Sequence, residues 1–404
     1  KRSPAVLTPG CQAGSLTGHA AATWFTKHRL LDLGTVREMK IERIELSVFE
    51  TPANTGRFDL AQVDAAPGHK RWVRRSRPTP PGQIHVLHVW TDDGIEGMCT
   101  VGDARYSTMR TDDLEMMRLL AIGQDPLQRD LLFDKMSAAT RGMFTLVGWH
   151  GTFDNCLWDI AGKAAGLPVH KLIGSHRDCC QAYYNFGGPS PSAAAEDAIQ
   201  ARDRGFALKD HFHDTGSQNE IWFRTVRDAV GPEPVLLHDA ASCDYNFEEA
   251  LRVGQVLQEL DFGWFEEPIS DRDQVGLQRL CTELDIPILA PETMMNDLEL
   301  SQLWLTSGAV DMLRVNARHG MTMVLRLAAL AQERGTTVEA NGPGGLFGLV
   351  HAHLVCAVHN TSYYEYFPGG SRDEVGAEIG LLNPPVPQDG HIAPPDLPGW
   401  GAQW

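Results

Sequence analysis

Three runs within residues 235–292 decide the reading: Val235–Leu236–Leu237–His238–Asp239, Phe262–Gly263–Trp264–Phe265–Glu266–Glu267–Pro268 and Ile286–Pro287–Ile288–Leu289–Ala290–Pro291–Glu292. Each is a short apolar run that ends on a carboxylate. Asp239, Glu266 and Glu292 follow one another at intervals of 27 and 26 residues, about one strand–helix unit. A parallel strand buried on both faces reads as such a run, and its parallel neighbour needs a crossover of roughly a dozen residues or more. Three neighbouring parallel strands would therefore each present one acid at the C-terminal end. A single such acid reads as a cap on the following helix; three in register point to a metal site. Hard oxygen donors with no Cys or His among them suit Mg²⁺ better than Zn²⁺.

Working outward, alternating strand and helix patterns run from about 174 to 367. Short strands are expected at Ala182–Phe186, Phe206–His211, Val235–Asp239, Gly263–Glu266, Ile286–Glu292, Val310–Asn316, Thr337–Asn341 and Tyr363–Phe367. Eight strands with intervening helices argue for a barrel rather than an open sheet, with its site at the C-terminal strand ends. Before the barrel, residues 39–174 read as an α+β domain. Ile41, Ile44, Leu46 and Val48 lead one strand, Ile84–Trp90 forms a second, and the turn Thr91–Asp92–Asp93–Gly94 leads into a third near Ile95–Val101. The pattern then turns helical, with Gly166–Leu167–Pro168 as a stop. Residues 51–82 are rich in Pro, Gly and Arg and lack periodicity, which suggests a loop. Arg57, Lys70, Arg71, Arg74, Arg75 and Arg77, with Trp72 among them, make it basic, as a lid over an anionic substrate would be. Residues 368–404 are Pro/Gly-rich, and the tail with Trp400 and Trp404 is expected to pack back over the N-terminal domain.

The whole chain sets limits on partners. A formal charge of −17 over 404 residues argues against nucleic acid or an anionic membrane, and no apolar run approaches the ~20 residues of a membrane span. The eight cysteines include no C-x-x-C pair and mostly sit in apolar runs, so buried free thiols, a reducing cytoplasm and no structural zinc are expected. Residues 1–38 read as a non-conforming extension, because strict strand alternation begins at Met39.

Period 2 assigns further residues to the face of the acids. Lys209 and His211 share one face of the second barrel strand, with Asp210 opposite. A cation and an imidazole beside a metal cluster suit removal of a proton next to a carboxylate.

With these residues in place, the chain resembles the enolase superfamily, in its mandelate racemase-like branch of sugar-acid dehydratases. The resemblance rests on Leu157–Trp158–Asp159–Ile160, Gly162–Lys163–Ala164–Ala165–Gly166–Leu167–Pro168, Lys209-x-His211, Asp239, Glu266–Glu267–Pro268, Glu292 and His319–Gly320–Met321–Thr322. It implies an α/β fold: a modified (β/α)7β TIM-type barrel over 175–367, under an α+β capping domain over 39–174 that the C-terminal segment completes. It also implies one Mg²⁺ on Asp239, Glu266 and Glu292, with Lys209 electrostatic and His211 the base. Arg314, His319, Asn341, Glu365, Arg57 and Trp72 are the candidate substrate contacts, and a homo-oligomer is expected. The branch often carries an Asp on strand six and a His on strand seven, where this chain has Val315–Asn316 and Ala340–Asn341. A two-base racemase is thereby disfavoured. The expected activity is Mg²⁺-dependent loss of water from a sugar acid through an enediolate, giving a 2-keto-3-deoxy acid. The rivals are a racemase, epimerase or cycloisomerase on a related acid, and a non-catalytic binding homologue.

Overall fold

In the computed structural model, residues 38–51, 59–66, 69–76, 82–101, 108–140, 149–241, 243–294, 297–342, 345–368 and 375–404 are described. The extension up to residue 37 and Arg57 lie outside them. The first sheet has β1 (Ile41–Thr51) antiparallel to β4 (Gly82–Thr91), which pairs in turn with β5 (Glu96–Thr100) across the expected Thr91–Gly94 turn. A register shift between Ile41 and Arg43 explains how Ile41 and Ile44, three apart, both lie buried on one face. Val48 continues the apolar pattern yet is 47% exposed.

The reading of 51–82 as an unstructured loop is corrected by the structure. Within it, β2 (Asp59–Ala66) and β3 (His69–Ser76) form a two-stranded antiparallel sheet of their own. The pairing runs through the backbone, and polar residues such as Gln62, Asp64 and Lys70 stand on it, so no apolar alternation announces it. Helices α1 (Thr111–Ala121), α2 (Arg129–Thr140), α3 (Trp149–Ala165) and α4 (Val169–Ile173) follow.

The second part alternates strand and helix: β6 (Cys180–Phe186), α5 (Pro191–Asp203), β7 (Ala207–Asp210), α6 (Gly216–Val230), β8 (Leu236–Asp239), α7 (Phe247–Glu259), β9 (Phe262–Glu266), α8 (Gln274–Glu283), β10 (Ile288–Ala290), α9 (Leu298–Ser307), β11 (Met312–Val315), α10 (Met321–Glu333), β12 (Val338–Ala340), α11 (Leu349–Ala357) and β13 (Tyr364–Tyr366). These eight strands are parallel and lie in the order β12-β11-β10-β9-β8-β7-β6-β13, a nearly closed barrel sheet. At the ring's two ends, the segment leading into β13 meets β12, with Ser362 N–H donating to the Glu339 carboxylate at 3.1 Å and Val338 N–H to Asn360 O at 2.9 Å.

Alternation along the strands sorts the barrel into layers. Tyr183, Ala207, Leu237, Trp264, Leu289 and Met312 form an apolar cluster of their own, apart from the main core. Their strand neighbours Ala182, Leu208, Leu236, Phe265, Ile288 and Leu313 belong to the main core, as the opposite face of the pleat requires. Two residues further along the inner face come Asn185, Lys209, Asp239, Glu266 and Arg314. The inner apolar cluster is thus a floor, and the charged residues stand on it.

The tail returns to the rest of the molecule. β14 (His391–Ile392) pairs antiparallel with β6, and Trp400, fully buried, donates its indole N–H to Asn155 O at 2.9 Å. Asp159 on α3 collects three parts of the chain: it accepts from Trp400 N at 2.8 Å, Met98 N at 3.0 Å and Lys163 Nζ at 2.8 Å. Gly399 makes this approach possible, since a Cβ there would lie 2.0 Å from Asp159 Oδ1 and its φ is +73°. Among the described residues, six cysteines are free and buried. Cys179 departs from the expectation of free thiols and is disulfide-bonded. No described helix is long and apolar enough to cross a membrane.

Asp159→Ala should lower unfolding stability by about 2–5 kcal/mol, because two buried N–H groups lose their acceptor. Urea unfolding measures it, and an unchanged midpoint would mean that the tail is held by Trp400 alone.

Candidate active site

The three acids of the opening stretch are not spent as helix caps. Helix α7 is capped by Asn246, α8 by Asp273 and α9 by Asp297, each through a side-chain oxygen that accepts a backbone N–H. Asp239 and Glu266 instead end β8 and β9 side by side, paired in register.

Between them lies Lys209, 1% exposed. Its Nζ is 3.1 Å from Asp239 Oδ2, 3.1 Å from Glu266 Oε2 and 2.8 Å from Glu365 Oε1. Burial alone would lower the pKa of this ammonium, but Glu266 and Glu365 outweigh it and hold the group well above the ordinary lysine range. His211, the other residue of the shared face, puts Nε2 2.9 Å from Asp239 Oδ2, and its side chain keeps 28% of its exposure. Burial opposes ionisation of Asp239, yet Lys209 and His211 prevail and hold its carboxyl well below the usual range. Its second oxygen, Oδ1, accepts Ala241 N–H at 2.9 Å.

Arg314, placed among the substrate contacts from sequence, is fully buried. It donates to Glu266 Oε1 and, at 3.2 Å, to the Tyr183 hydroxyl, and its Nε is 4.0 Å from Glu292 Oε2. Glu365 joins the same cluster through Lys209, and its Oε2 accepts Gly342 N–H. Asn341 is 3% exposed and accepts from Asn316 Nδ2 at 2.7 Å. The two strand ends thus hold an amide pair, neither member of which titrates.

The remaining candidates lie apart from this cluster. His319 sits in a 3₁₀ turn, Ala317–His319, with its Nε2 3.3 Å from Arg318 Nε. Burial, then Arg318 and His150, push its imidazole well below the ordinary histidine range. Trp72 is 62% exposed on β3, and Arg57 is outside the described residues.

One residue joins the group unannounced. Oxygens of Asp239, Glu266 and Glu267 lie within 4.8 Å of one another. Strict alternation would turn Glu267 away from Glu266, but the strand has ended and Glu267 has φ +45°, a left-handed backbone rare for a side chain of this kind. Glu292 follows β10 with 27% of its side chain exposed; it stands outside that trio but bears on it. Burial, then repulsion from Glu292, raises the Glu267 carboxyl well above its ordinary value. Burial likewise lifts Glu266 to about 7, although Arg314 pulls the other way.

These shifts test whether a cation fits. Asp239, Glu266, Glu267, Glu292 and Glu365 crowd around two buried cations, Lys209 and Arg314. The excess is negative and all the donors are carboxylate oxygens, which is what a hard divalent ion takes. Asp239, Glu266 and Glu267 or Glu292 are the residues that could hold it.

Known proteins resemble this chain in sequence and in fold. Residues 193–404 match a family model described as enolase C-terminal domain-like. Residues 75–174 match the mandelate racemase/muconate lactonizing enzyme N-terminal domain. The chain is similar to the L-talarate/galactarate dehydratase of Salmonella typhimurium, 30% identical over 349 residues, 81% of each chain. It is also similar to the arabinonate dehydratase of Saccharolobus solfataricus, 28% identical over 80% of this chain and 88% of that one. Among solved structures, the D-glucarate dehydratase from Agrobacterium tumefaciens complexed with magnesium superposes with a TM-score of 0.74 at 28% identity, covering 91% of this chain and 97% of that one.

Mg²⁺ should raise the melting temperature with the logarithm of its concentration above the dissociation constant, stabilising by about 2.7 kcal/mol at about 100 times that constant. Asp239→Asn and Glu266→Gln should remove the shift. A wild-type protein whose melting is indifferent to Mg²⁺ would mean that this cluster does not hold the ion.

Proposed function

The chain belongs to the mandelate racemase/muconate lactonizing enzyme family, and on that premise we propose that it is a Mg²⁺-dependent sugar-acid dehydratase. The reading rests above all on one observation: Lys209 on β7 and His211, just beyond it, converge on the same oxygen of Asp239. The relatives that are dehydratases of talarate, galactarate and arabinonate support it.

A divalent ion on Asp239, Glu266 and Glu292 would supply positive charge for the substrate carboxylate as the α-hydrogen leaves. His211 takes that hydrogen as a proton. Its imidazole stands at the barrel mouth, partly exposed, and engages a carboxylate oxygen that the ion would claim. The C–H electron pair moves into an enediolate, whose charge Lys209 helps to hold. Lys209 has no route to the same task as base, since its ammonium is spent on three carboxylates in a buried setting. Collapse of the enediolate expels the β-hydroxyl, which leaves as water with the proton returned by His211. The resulting enol becomes a 2-keto-3-deoxy acid. One imidazole serves both steps, which suits a site whose strand ends β11 and β12 carry the Asn316–Asn341 amide pair. The same pair speaks against a two-base racemase.

The test is a panel of galactarate, L-talarate, D-glucarate, D-galactonate and arabinonate with Mg²⁺, read by keto-acid formation. A keto acid from one of them is expected; epimerised acid without keto acid, or no turnover at all, would sink the proposal. His211→Asn should cut exchange of the α-hydrogen with deuterated solvent by about 10²–10⁴, with substrate still bound. Lys209→Met should weaken binding and turnover together, because it removes charge from ground and transition states alike.

A further inference from the structure

The β2–β3 hairpin carries a basic residue that does not face solvent. Arg71, on β3, is 4% exposed, while its neighbour Trp72 is among the most exposed apolar side chains described. Its guanidinium reaches across to the barrel. Nη1 is 2.9 Å from Glu249 Oε2 on α7 and donates to Asp244 O at 3.1 Å; Nη2 donates to Asp214 O at 3.0 Å; the guanidinium carbon lies 5.4 Å from the Tyr245 ring centre. The acceptors belong to two different loops. Asp214 is in the segment after β7, three residues beyond His211. Asp244 is in the segment after β8, five residues beyond Asp239.

Around this contact the two loops are fastened to each other. The second oxygen of Glu249 accepts Gly216 N–H, at the start of α6, at 2.7 Å. Asn219 on α6 donates to Asp214 O at 3.1 Å and to the Tyr245 hydroxyl at 2.5 Å, and accepts Asp214 N–H at 3.2 Å. Cys243 Sγ lies 2.8 Å from Phe212 O, the carbonyl next to His211. Residues 211–215 belong to no strand or helix, so these tethers, rather than a ladder, determine where the imidazole stands. Arg71 supplies positive charge to the network and reaches it from outside the barrel.

We propose that Arg71 is a positioning residue: seated from the hairpin, it locks the loop bearing His211 to the loop beyond Asp239, so that proton abstraction depends on the docked hairpin. Arg rather than Lys suits the task, because a planar fork can meet two carbonyls and a carboxylate at once, where an ammonium is a point charge. Arg71 precedes the residues that match the N-terminal family model, which begin at 75. The kinetic part of the inference rests on His211 as the base; the structural part does not.

Arg71→Met and the double variant Arg71→Met/Glu249→Gln separate positioning from simple neutralisation of a buried acid. Hydrogen exchange of the Mg²⁺-loaded protein, with no substrate present, should show faster exchange of amides in 211–216 and 240–246 in both variants. The double variant should recover thermal stability, since no buried carboxylate is left without its cation. It should still lose about 10² in kcat, the order expected for a displaced catalytic group, with KM changed far less. Should Arg71→Met fail to fold, the double variant carries the test. Unchanged loop exchange, or a double variant with kcat restored along with stability, would overturn the inference. Absence of wild-type turnover on every sugar acid would instead count against the proposed function, and the exchange result would stand by itself.

Discussion

The site depends on one constraint: a lysine with almost no exposure is held among Asp239, Glu266 and Glu365 in a barrel whose floor is apolar. Charges taken out of water are costly unless each meets a partner. Here the partners are shared, so that Glu266 answers Lys209 through one oxygen and Arg314 through the other. Removing Lys209 or Arg314 would leave the acids facing one another, and burial, with repulsion added, already raises the Glu266 and Glu267 carboxyls above their ordinary values. The same imbalance that makes the cluster poor as a structural element makes it a good seat for a divalent cation.

Holding such a cluster requires a rigid frame, and the chain builds it with two kinds of joint. Inside the barrel the joint is the pleat: an apolar layer fixes the height of the strands, and the charged layer follows two residues later. Between the two parts of the molecule the joints are polar and specific. Asp159 gathers the tail and the first sheet onto α3, and Arg71 plugs the hairpin into the loops at the barrel mouth. Trp158 and Asp159, adjacent on α3, are among the residues that carry the family resemblance in the sequence. Trp158 donates to Thr322 at 3.0 Å on α10, and Asp159 serves the other side, so the pair spans both parts.

Much of the fold was legible because it rests on local periodicity. The strands after Met39, the eight barrel strands and the seven helices between them follow from apolar runs and their spacing, and so does the shared face of Lys209 and His211. Legibility failed where backbone departs from its period or where pairing needs no apolar signal. Glu267 joins the carboxylates through a left-handed φ that alternation cannot foresee. The β2–β3 hairpin is polar and was read as a basic lid loop, so Arg71 was aimed at an anionic substrate rather than at the barrel.

The sequence by itself determined a parallel barrel with acids at the strand ends, since burial on two faces leaves a mark in every strand. It also determined that the ends of β11 and β12 would carry amides. Only the tertiary structure decided that Arg314 pairs with Glu266 and that Arg71 crosses from the hairpin to the barrel. It likewise decided that Glu365 completes the ring around Lys209. These contacts join residues far apart in the chain through single buried ion pairs. Such pairs form where the folded backbone brings opposite charges together out of water, and neighbouring residues carry no trace of them.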